Sequence, residues 1–221
     1  MAPDRQGVTV VGSVHMDLIA VADRLPRHGE SLIGRSFAAF PGGKAGNQAA
    51  QVAGNDCPAF LVARLGDDHF GRELRERLMA KGVDTSRVAI DPKIPTGASP
   101  LLVGGDGEYA SIIVPGAAAR LSEADIDAAR PAIARSAALI LQLEIPVGVT
   151  AYAARVAREL GALIVLNASP APESAADIPD DLWRRVGLLV VNAFEAARLG
   201  APADATAASW LRENLGVATV V

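Results

Sequence analysis

Short apolar runs alternate along this chain with longer stretches of mixed polarity. The runs are rich in Val, Ile and Leu, and they read VTVVGS, AFLVARLG, AALILQLE, ALIVLNAS, GLLVVNA and VATVV. The longer stretches between them are amphipathic, and this alternation is typical of βαβ units. Such units form a mostly parallel sheet with helices on both faces. The sequence therefore predicts an α/β fold with three layers around a central sheet.

Two of the intervening stretches carry ordinary helix boundaries. The stretch DDHFGRELRERLMAKG ends at Gly82, a residue type that commonly follows a helix. The stretch LSEADIDAARPAIARS opens with Ser122 three residues before Asp125, which resembles a capping box. Pro131 lies inside this second pattern and predicts a kink or a break there.

Two further segments look like pairs of strands, and they lie within residues 15–41 and 96–116. The second segment contains GGDG between SPLLV and YASIIV, which is a hairpin signal because Gly and Asp tolerate positive φ. Together the segments could form a small antiparallel sheet, or they could be two unrelated excursions. We interpret them as a β lid, because a flap beside a ligand cleft excludes water from a reaction.

Length and composition exclude several classes of protein. The chain has 221 residues, and without an internal repeat or a linker we expect one domain over residues 1–221. Its longest apolar stretch is interrupted by Gln142 and Glu144, so we predict no membrane span. Its start lacks the charged, apolar and small-residue zones of a secretory signal, so we predict a cytoplasmic protein. The single Cys57 cannot form an internal disulfide and has no neighbouring His. The net charge of −4 is spread along the chain, which argues against nucleic acid as a partner.

Polar residues follow several of the predicted strands. His15 and Asp17 follow the first strand, and Glu144, Asn167 and Asn192 follow three later ones. Any one of them could be an ordinary strand-end or turn residue. Ligands of open parallel sheets bind beyond the carboxyl ends of the strands, so we expect these side chains to line a shared polar cleft.

The stretch PGGKAGNQAAQ, residues 41–51, leads from a lid strand into an alanine-rich helix. Its glycines at 42, 43 and 46 let the backbone approach a ligand or take positive φ, and we expect a helix to begin at Asn47. Lys44 offers a cationic donor and Asn47 offers both a donor and an acceptor, which suits hydroxyl groups or an anion. The stretch is neither a Walker A loop nor G-x-G-x-x-G. Its glycine content alone is equally compatible with a structural turn.

Read in order, GSVHMD, PGGKAGNQAA, ARLGDDHFG, PTGASPLLVGGDGEY, LQLE, LNASPAPE and VNAFEAARLG resemble the ribokinase branch of the PfkB carbohydrate kinases. The resemblance spans essentially the whole chain, and several motifs agree in order and spacing. It implies a ribokinase-like three-layer sandwich with a small β lid over the sugar. It also implies transfer of the ATP γ-phosphoryl group to a sugar hydroxyl, with ribose or a related pentose as the substrate.

The resemblance implies roles for named residues, with the sugar hydroxyls held by Asp17, Gly43, Lys44, Asn47 and Glu144. His15 is a further candidate for the sugar, although it could equally be a packed strand-end histidine. Asn192 and Glu195 in NAFE match the family's N-x-x-E motif, which implies a nucleotide contact at Asn192 and a magnesium contact at Glu195. The sequence departs from the usual family pattern at three places. His15 stands where ribokinases usually have Asn, and Ala45-Gly46 replaces the usual Gly-Ala order. Ala193 stands in place of a frequent acidic residue.

The family's Gly-Ala-Gly-Asp motif, whose Asp is the general base, does not occur in this sequence. The resemblance therefore implies a catalytic Asp beyond Val221, with the C-terminal part of the family fold missing, and we expect no catalytic residue and little turnover from these 221 residues alone. A non-catalytic sugar-binding or regulatory remnant and a nucleoside kinase are the alternatives. Activation by a monovalent cation such as K⁺ and a homodimer formed through the lid are further expectations from the family.

Overall fold

The computed structural model describes residues 6–221. In chain order its strands are β1 (Val8–Val11), β2 (His15–Val21), β3 (Ser36–Gly42), β4 (Ala59–Gly66), β5 (Val83–Asp91), β6 (Thr96–Val103), β7 (Tyr109–Ser111), β8 (Val114–Gly116), β9 (Ala138–Leu141), β10 (Leu163–Asn167), β11 (Leu188–Val190) and β12 (Thr219–Val220). Its α-helices are α1 (Lys44–Gly54), α2 (His69–Ala80), α3 (Glu123–Ala128), α4 (Arg130–Arg135), α5 (Val147–Glu159), α6 (Asp180–Trp183), α7 (Ala193–Arg198) and α8 (Ala207–Leu215). Two short 3₁₀ helices cover Ala117–Arg120 and Ala175–Asp177.

The larger of the two sheets has seven strands in the order β12-β11-β10-β9-β1-β4-β5. Every pairing in it is parallel, and Val8 of β1 lies opposite Ala59 of β4 and Ala138 of β9. All seven strands therefore end at the same edge. The predicted α/β fold with a central parallel sheet is confirmed.

Two apolar cores lie on opposite faces of this sheet, because successive strand residues point to opposite sides. Val11 and Val62 belong to one core, whereas Val10 and Leu61 belong to the other. The core of Val11 also contains buried residues of α3, α4 and α5, and the core of Val10 contains buried residues of α1 and α2. Helices cover both faces, which gives the three layers that the alternating pattern predicts.

The smaller sheet has five strands, in the order β3-β2-β6-β7 with β8 also paired to β6. Three of its pairings are antiparallel, but β2 and β6 run parallel. The expectation of an antiparallel sheet was therefore wrong for this central pairing. β2 follows β1 and β6 follows β5 after only a few residues, and β1 and β5 both belong to the parallel central sheet.

Local signals in the sequence agree with the structure at several boundaries. The hairpin between β6 and β7 closes with a bond of 2.8 Å from the N–H of Gly104 to the carbonyl of Glu108, and Gly107 has φ of +86°. Ser122 and Asp125 form the capping box at the start of α3. Pro131 breaks the helical pattern, because α3 ends at Ala128 and Pro131 lies in the first turn of α4.

Within residues 6–221, no helix combines the length and the apolar character needed to cross a lipid bilayer.

Candidate functional site

Glu144 lies just beyond the carboxyl end of β9, next to the start of α1. Its side chain is 4% exposed, and both of its carboxylate oxygens are bonded. The hydroxyl of Ser13 and the backbone N–H of Lys44 donate to Oε2, the latter over 3.1 Å. The ammonium group of Lys44 lies 3.3 Å from Oε1. Three chain segments that are remote in sequence are thus joined at one carboxylate.

The glycine-rich loop packs directly on the connection between β1 and β2. Gly43 has φ of +87°, and a Cβ atom there would lie 2.6 Å from the carbonyl oxygen of Ser13 and from Cα of Val14. The N–H of Gly46 donates to the same carbonyl over 3.2 Å. Only glycine fits at position 43 without displacing the backbone. The helix α1 begins at Lys44 rather than at Asn47 as expected, since the turn at Gly43 is followed at once by helical residues.

His15 and Asp17 lie on the same face of β2, two residues apart. Nε2 of His15 is 3.2 Å from Oδ1 of Asp17, and the side chains are 7% and 29% exposed. The Asp17 carboxylate lies over Gly42 of the paired strand β3, where a Cβ atom would come within 2.5 Å of Cγ. The glycine at position 42 therefore makes room for the carboxylate.

The pKa of Asp17 is raised above its usual value. Burial of the carboxyl is the main cause, and the nearby charge of Glu144 acts in the same direction. The His15 imidazole and the Lys44 ammonium oppose this shift. The Asp17 carboxylate lies against Gly42, two residues before Lys44, so the His15–Asp17 pair and the Lys44–Glu144 pair belong to one polar cluster.

Asn47 lies one turn along α1, and its side chain is exposed. It lines a largely apolar pocket of about 210 Å³. The same pocket is lined by Val14 and Phe40 and, from α2, by Leu74 and Leu78. In the described part of the chain, the Asn47 side chain forms no hydrogen bond with the cluster around Glu144. Of the six residues predicted to bind the sugar, five lie together in the structure, and Asn47 lies beside them in the adjoining pocket. The five are His15, Asp17, Gly43, Lys44 and Glu144.

Asn192 and Glu195 lie together beyond the end of β11, where they form a capping box at the start of α7. The N–H of Glu195 donates to Oδ1 of Asn192 over 2.8 Å, and the N–H of Asn192 donates to Oε2 of Glu195 over 2.9 Å. Glu195 is 6% exposed. Residues 6–221 contain no group of three His, Cys, Asp or Glu side chains placed to hold a metal ion. At most, Glu195 offers one carboxylate to a cation.

Asn167, the remaining polar strand end, has a structural contact. Its Nδ2 donates to the carbonyl of Val190 on the neighbouring strand over 3.2 Å. An ordinary strand-end role is therefore enough to account for its position.

Two polar residues of the site were missed from the sequence. Ser13 holds Glu144, and its position in GSVHMD directly after a strand is the signal that could have identified it. Gln142 is fully buried, and its Nε2 donates to Oε1 of Gln48 on α1. Its Oε1 atom is buried beside Gly12 and has no partner among residues 6–221. The sequence signal for Gln142 was a polar amide side chain inside the apolar run AALILQLE, where a buried strand is predicted.

Comparison with known proteins shows the family of the chain. The sequence profile of the pfkB family carbohydrate kinases matches residues 5–221. The ribokinase of Dictyostelium discoideum is 31% identical over 191 residues, which are 85% of this chain and 59% of that protein. The ribokinase of Mus musculus is 32% identical over 189 residues, which are 86% of this chain and 58% of that protein. The chain thus spans about three fifths of the length of these curated relatives.

Solved structures show the same fold. Ribokinase of Arabidopsis thaliana, solved as a complex with ribose and ATP, has a TM-score of 0.84 and 28% identity over 97% of this chain and 70% of that one. Ribokinase of Thermotoga maritima has a TM-score of 0.81 and 27% identity over 97% of this chain and 70% of that one. The fold is therefore the ribokinase fold, and the chain belongs to the pfkB family of carbohydrate kinases.

Proposed function

We propose that residues 6–221 form the sugar-binding part of a kinase that transfers the γ-phosphoryl group of ATP to a hydroxyl of ribose or a related pentose. The observation that carries this proposal is the convergence of Asp17, Lys44 and Glu144 at the carboxyl edge of the central sheet. The names of the curated relatives and the ribose and ATP in the Arabidopsis thaliana complex support it.

The chemistry of the cluster suits a polyol. The partly exposed carboxylate of Asp17 accepts hydrogen bonds from hydroxyl groups, and such charge-assisted bonds are stronger than neutral ones. The ammonium group of Lys44 donates to hydroxyl oxygens, and the glycines at 42 and 43 let the backbone pack closely against Asp17 and Ser13. We infer that Asp17 and Lys44 orient the sugar, while Glu144 holds Lys44 and the loop in place. Phosphoryl transfer depends on positioning of the reacting groups and on electrostatic stabilisation more than on covalent catalysis, so orienting the sugar hydroxyl is a main contribution of the protein.

The small sheet carries Asp17 on β2, and we propose that it acts as a lid over the sugar. Closure of a lid removes water and so strengthens the hydrogen bonds beneath it. Directly paired residues share a face of a sheet, so the face of Asp17 extends through Phe40 on β3 to Tyr109 on β7. These two aromatic side chains are 50% and 68% exposed. A second copy of the chain would bury this apolar surface, which supports a homodimer through the lid.

We propose that Asn192 and Glu195 face the phosphate region of ATP. Magnesium in kinases is commonly held by one or two carboxylates together with phosphate oxygens, and the single carboxylate of Glu195 fits that pattern. When bound, the ion would neutralise charge on the phosphates. Asn192 and Glu195 already stabilise each other through the capping box, which keeps the carboxylate at the edge of the sheet where β11 ends. We place the reaction in the cytoplasm, where the lone Cys57 would stay reduced.

The proposal is tested by measuring the binding of ribose, 2-deoxyribose, fructose and adenosine to the purified chain, by calorimetry and by thermal shift. We expect ribose or 2-deoxyribose to bind best. Binding is seen as a rise in the melting temperature, because a ligand that binds only the native state stabilises it. Preference for adenosine would favour a nucleoside kinase instead. Since the sequence contains no Gly-Ala-Gly-Asp motif, we expect little transfer of labelled phosphate from ATP. Transfer at ordinary kinase rates by these 221 residues would contradict that expectation.

A further inference from the structure

A single carboxylate joins the two sheets at a point outside the sugar site. Asp68 precedes α2, and its Oδ1 accepts the N–H of Gly71 over 2.8 Å, which caps this helix. Its Oδ2 accepts the N–H of Thr96, the first residue of β6, over 2.7 Å. Asp68 therefore uses one oxygen for a helix that covers the central sheet and the other for a strand of the small sheet.

Thr96 extends this connection to the end of β4. Its Oγ1 accepts the N–H of Gly66 over 2.9 Å, and Thr96 is 6% exposed. The backbones are so close that a Cβ atom on Gly66 would lie 2.5 Å from the nitrogen of Thr96. Gly66, Asp68, Gly71 and Thr96, which we call the junction, thus hold the end of β4, the start of α2 and the start of β6 together.

The junction is connected to the sugar residues through β6. This strand runs parallel to β2, with Gly97 opposite His15 and Ser99 opposite Asp17. Thr96 is the residue immediately before Gly97. A shift of Thr96 would therefore move the ladder that carries His15 and Asp17, while Lys44 and Glu144 are held elsewhere by their own contacts.

The electrostatics of Asp68 agree with this arrangement. Partial burial would by itself raise its pKa, but the N–H groups of Gly71 and Thr96, the hydroxyl of Thr96 and the charge of Arg72 together hold the pKa below its usual value. The ionised carboxylate is thus the form that the junction stabilises. Neither serine nor alanine at position 68 can supply both acceptors.

We propose that Asp68 is a positioning residue that sets the distance between Asp17 on the small sheet and the Lys44–Glu144 pair at the central sheet. It acts through Thr96 and the β6–β2 ladder, and it does not touch the sugar. This inference rests on the proposed sugar-binding function for its effect on affinity. Its effect on the small sheet itself does not depend on that function.

The test compares three variants of the chain. Asp68→Ser keeps a hydroxyl that can cap α2 but is too short to reach Thr96, and Asp68→Ala loses both acceptors. Ile133→Val is the matched control, because it trims a fully buried side chain of α4 that takes no part in the junction. Ribose affinity is measured by calorimetry at a temperature where circular dichroism shows every variant folded, and amide hydrogen exchange is followed across β2 and β6.

We expect Asp68→Ser to weaken ribose binding about tenfold, because the ladder is no longer anchored at Thr96 and placing Asp17 on binding then costs about as much as one hydrogen bond. Amides of Gly97 and Ser99 should exchange faster in this variant, and the Ile133→Val control should keep wild-type affinity. Wild-type affinity in Asp68→Ser would overturn the proposal. An equal loss of affinity in Ile133→Val would also overturn it, since the effect would then follow stability alone.

The two proposals can fail separately. If the wild-type chain does not bind ribose, the proposed function fails, and the exchange data still decide the role of Asp68. Faster exchange confined to β2 and β6 would support the junction, and unchanged exchange there would reject it. Should Asp68→Ser not fold, Thr96→Val is measured in the same way, because it removes the acceptor for the N–H of Gly66 and the hydroxyl beside Asp68 but keeps the backbone bond between Thr96 and Asp68.

Discussion

Lys44 contacts Glu144 twice, through its backbone N–H to Oε2 over 3.1 Å and through its ammonium group to Oε1 over 3.3 Å, although the residues are 100 positions apart. The pair joins the first turn of α1 to the exit of β9. It therefore fixes the glycine-rich loop against the central sheet before any ligand is present. A side chain that serves the fold and the site together is costly to replace.

Replacing Glu144 with Gln should destabilise the chain by about 1–3 kcal/mol, because a buried acceptor of three bonds loses its charge and one acceptor becomes a donor. Chemical denaturation measures this change. Glu73→Gln is the control, since its pair with Arg77 on α2 is partly exposed and should contribute at most about 0.5 kcal/mol. Equal effects of the two substitutions would contradict the role assigned to Glu144.

Replacing Gly43 with Ala should cost more than about 2 kcal/mol and should also remove sugar binding. The added Cβ would meet the backbone of Ser13 and Val14 at 2.6 Å, and φ at this position is +87°. Gly29→Ala separates the two causes, because Gly29 has φ of +77° with no atom within 4 Å of the added Cβ. We expect about 1 kcal/mol there. A similar loss at both positions would show that φ alone, rather than the close approach, accounts for the effect.

Replacing Asp17 with Asn should weaken ribose binding about 10- to 100-fold, because charge-assisted bonds to the sugar are lost. The same substitution should not destabilise the protein at neutral pH. Burial disfavours the ionised carboxyl at this site, and Asn removes the charge while its Oδ1 can still accept from His15. Calorimetry and thermal denaturation measure the two effects, and a large loss of stability would contradict this expectation.

Asp17 also predicts a dependence on pH. Its folded pKa is raised above the unfolded value, so the folded state binds the proton more tightly and the contribution of this group to stability is greatest at low pH. That contribution is lost as pH rises from the unfolded value through the raised folded value. The stability of Asp17→Asn relative to wild type should therefore increase over the same interval. Ribose affinity of the wild type should rise with pH over this interval, because only the ionised carboxylate accepts two bonds. A pH-independent difference between the two proteins would contradict this assignment.

Replacing Tyr109 with Glu should weaken self-association, if the face of Asp17 on the small sheet is the dimer surface. Phe37→Glu is a matched control, because Phe37 is 67% exposed against 68% for Tyr109 but lies on the opposite face of the same sheet. Sedimentation velocity over a range of concentrations measures the effect. Dissociation by Phe37→Glu alone would assign the surface to the other face.

Several features of the structure could be predicted from short stretches of sequence. The apolar runs predicted the parallel sheet, the residues Ser122 and Asp125 predicted a capping box, and GGDG predicted the hairpin. Each of these signals depends on residues within one or two turns of helix or strand, where the periodicity of side chains is the same in any context. The polar residues at strand ends were recognisable for the same reason.

The parallel pairing of β2 and β6, the bond from Ser13 to Glu144 and the junction at Asp68 were not predictable in this way. Asp68 was visible only as part of ARLGDDHFG, and its partner Thr96 is 28 residues away. By itself the sequence determined the layers of the fold and the kinds of side chain at the edge of the sheet, because these follow from local spacing and burial. Only the tertiary structure decided which polar groups meet, because a hydrogen bond needs its two atoms within about 3 Å and that distance depends on how all the layers pack.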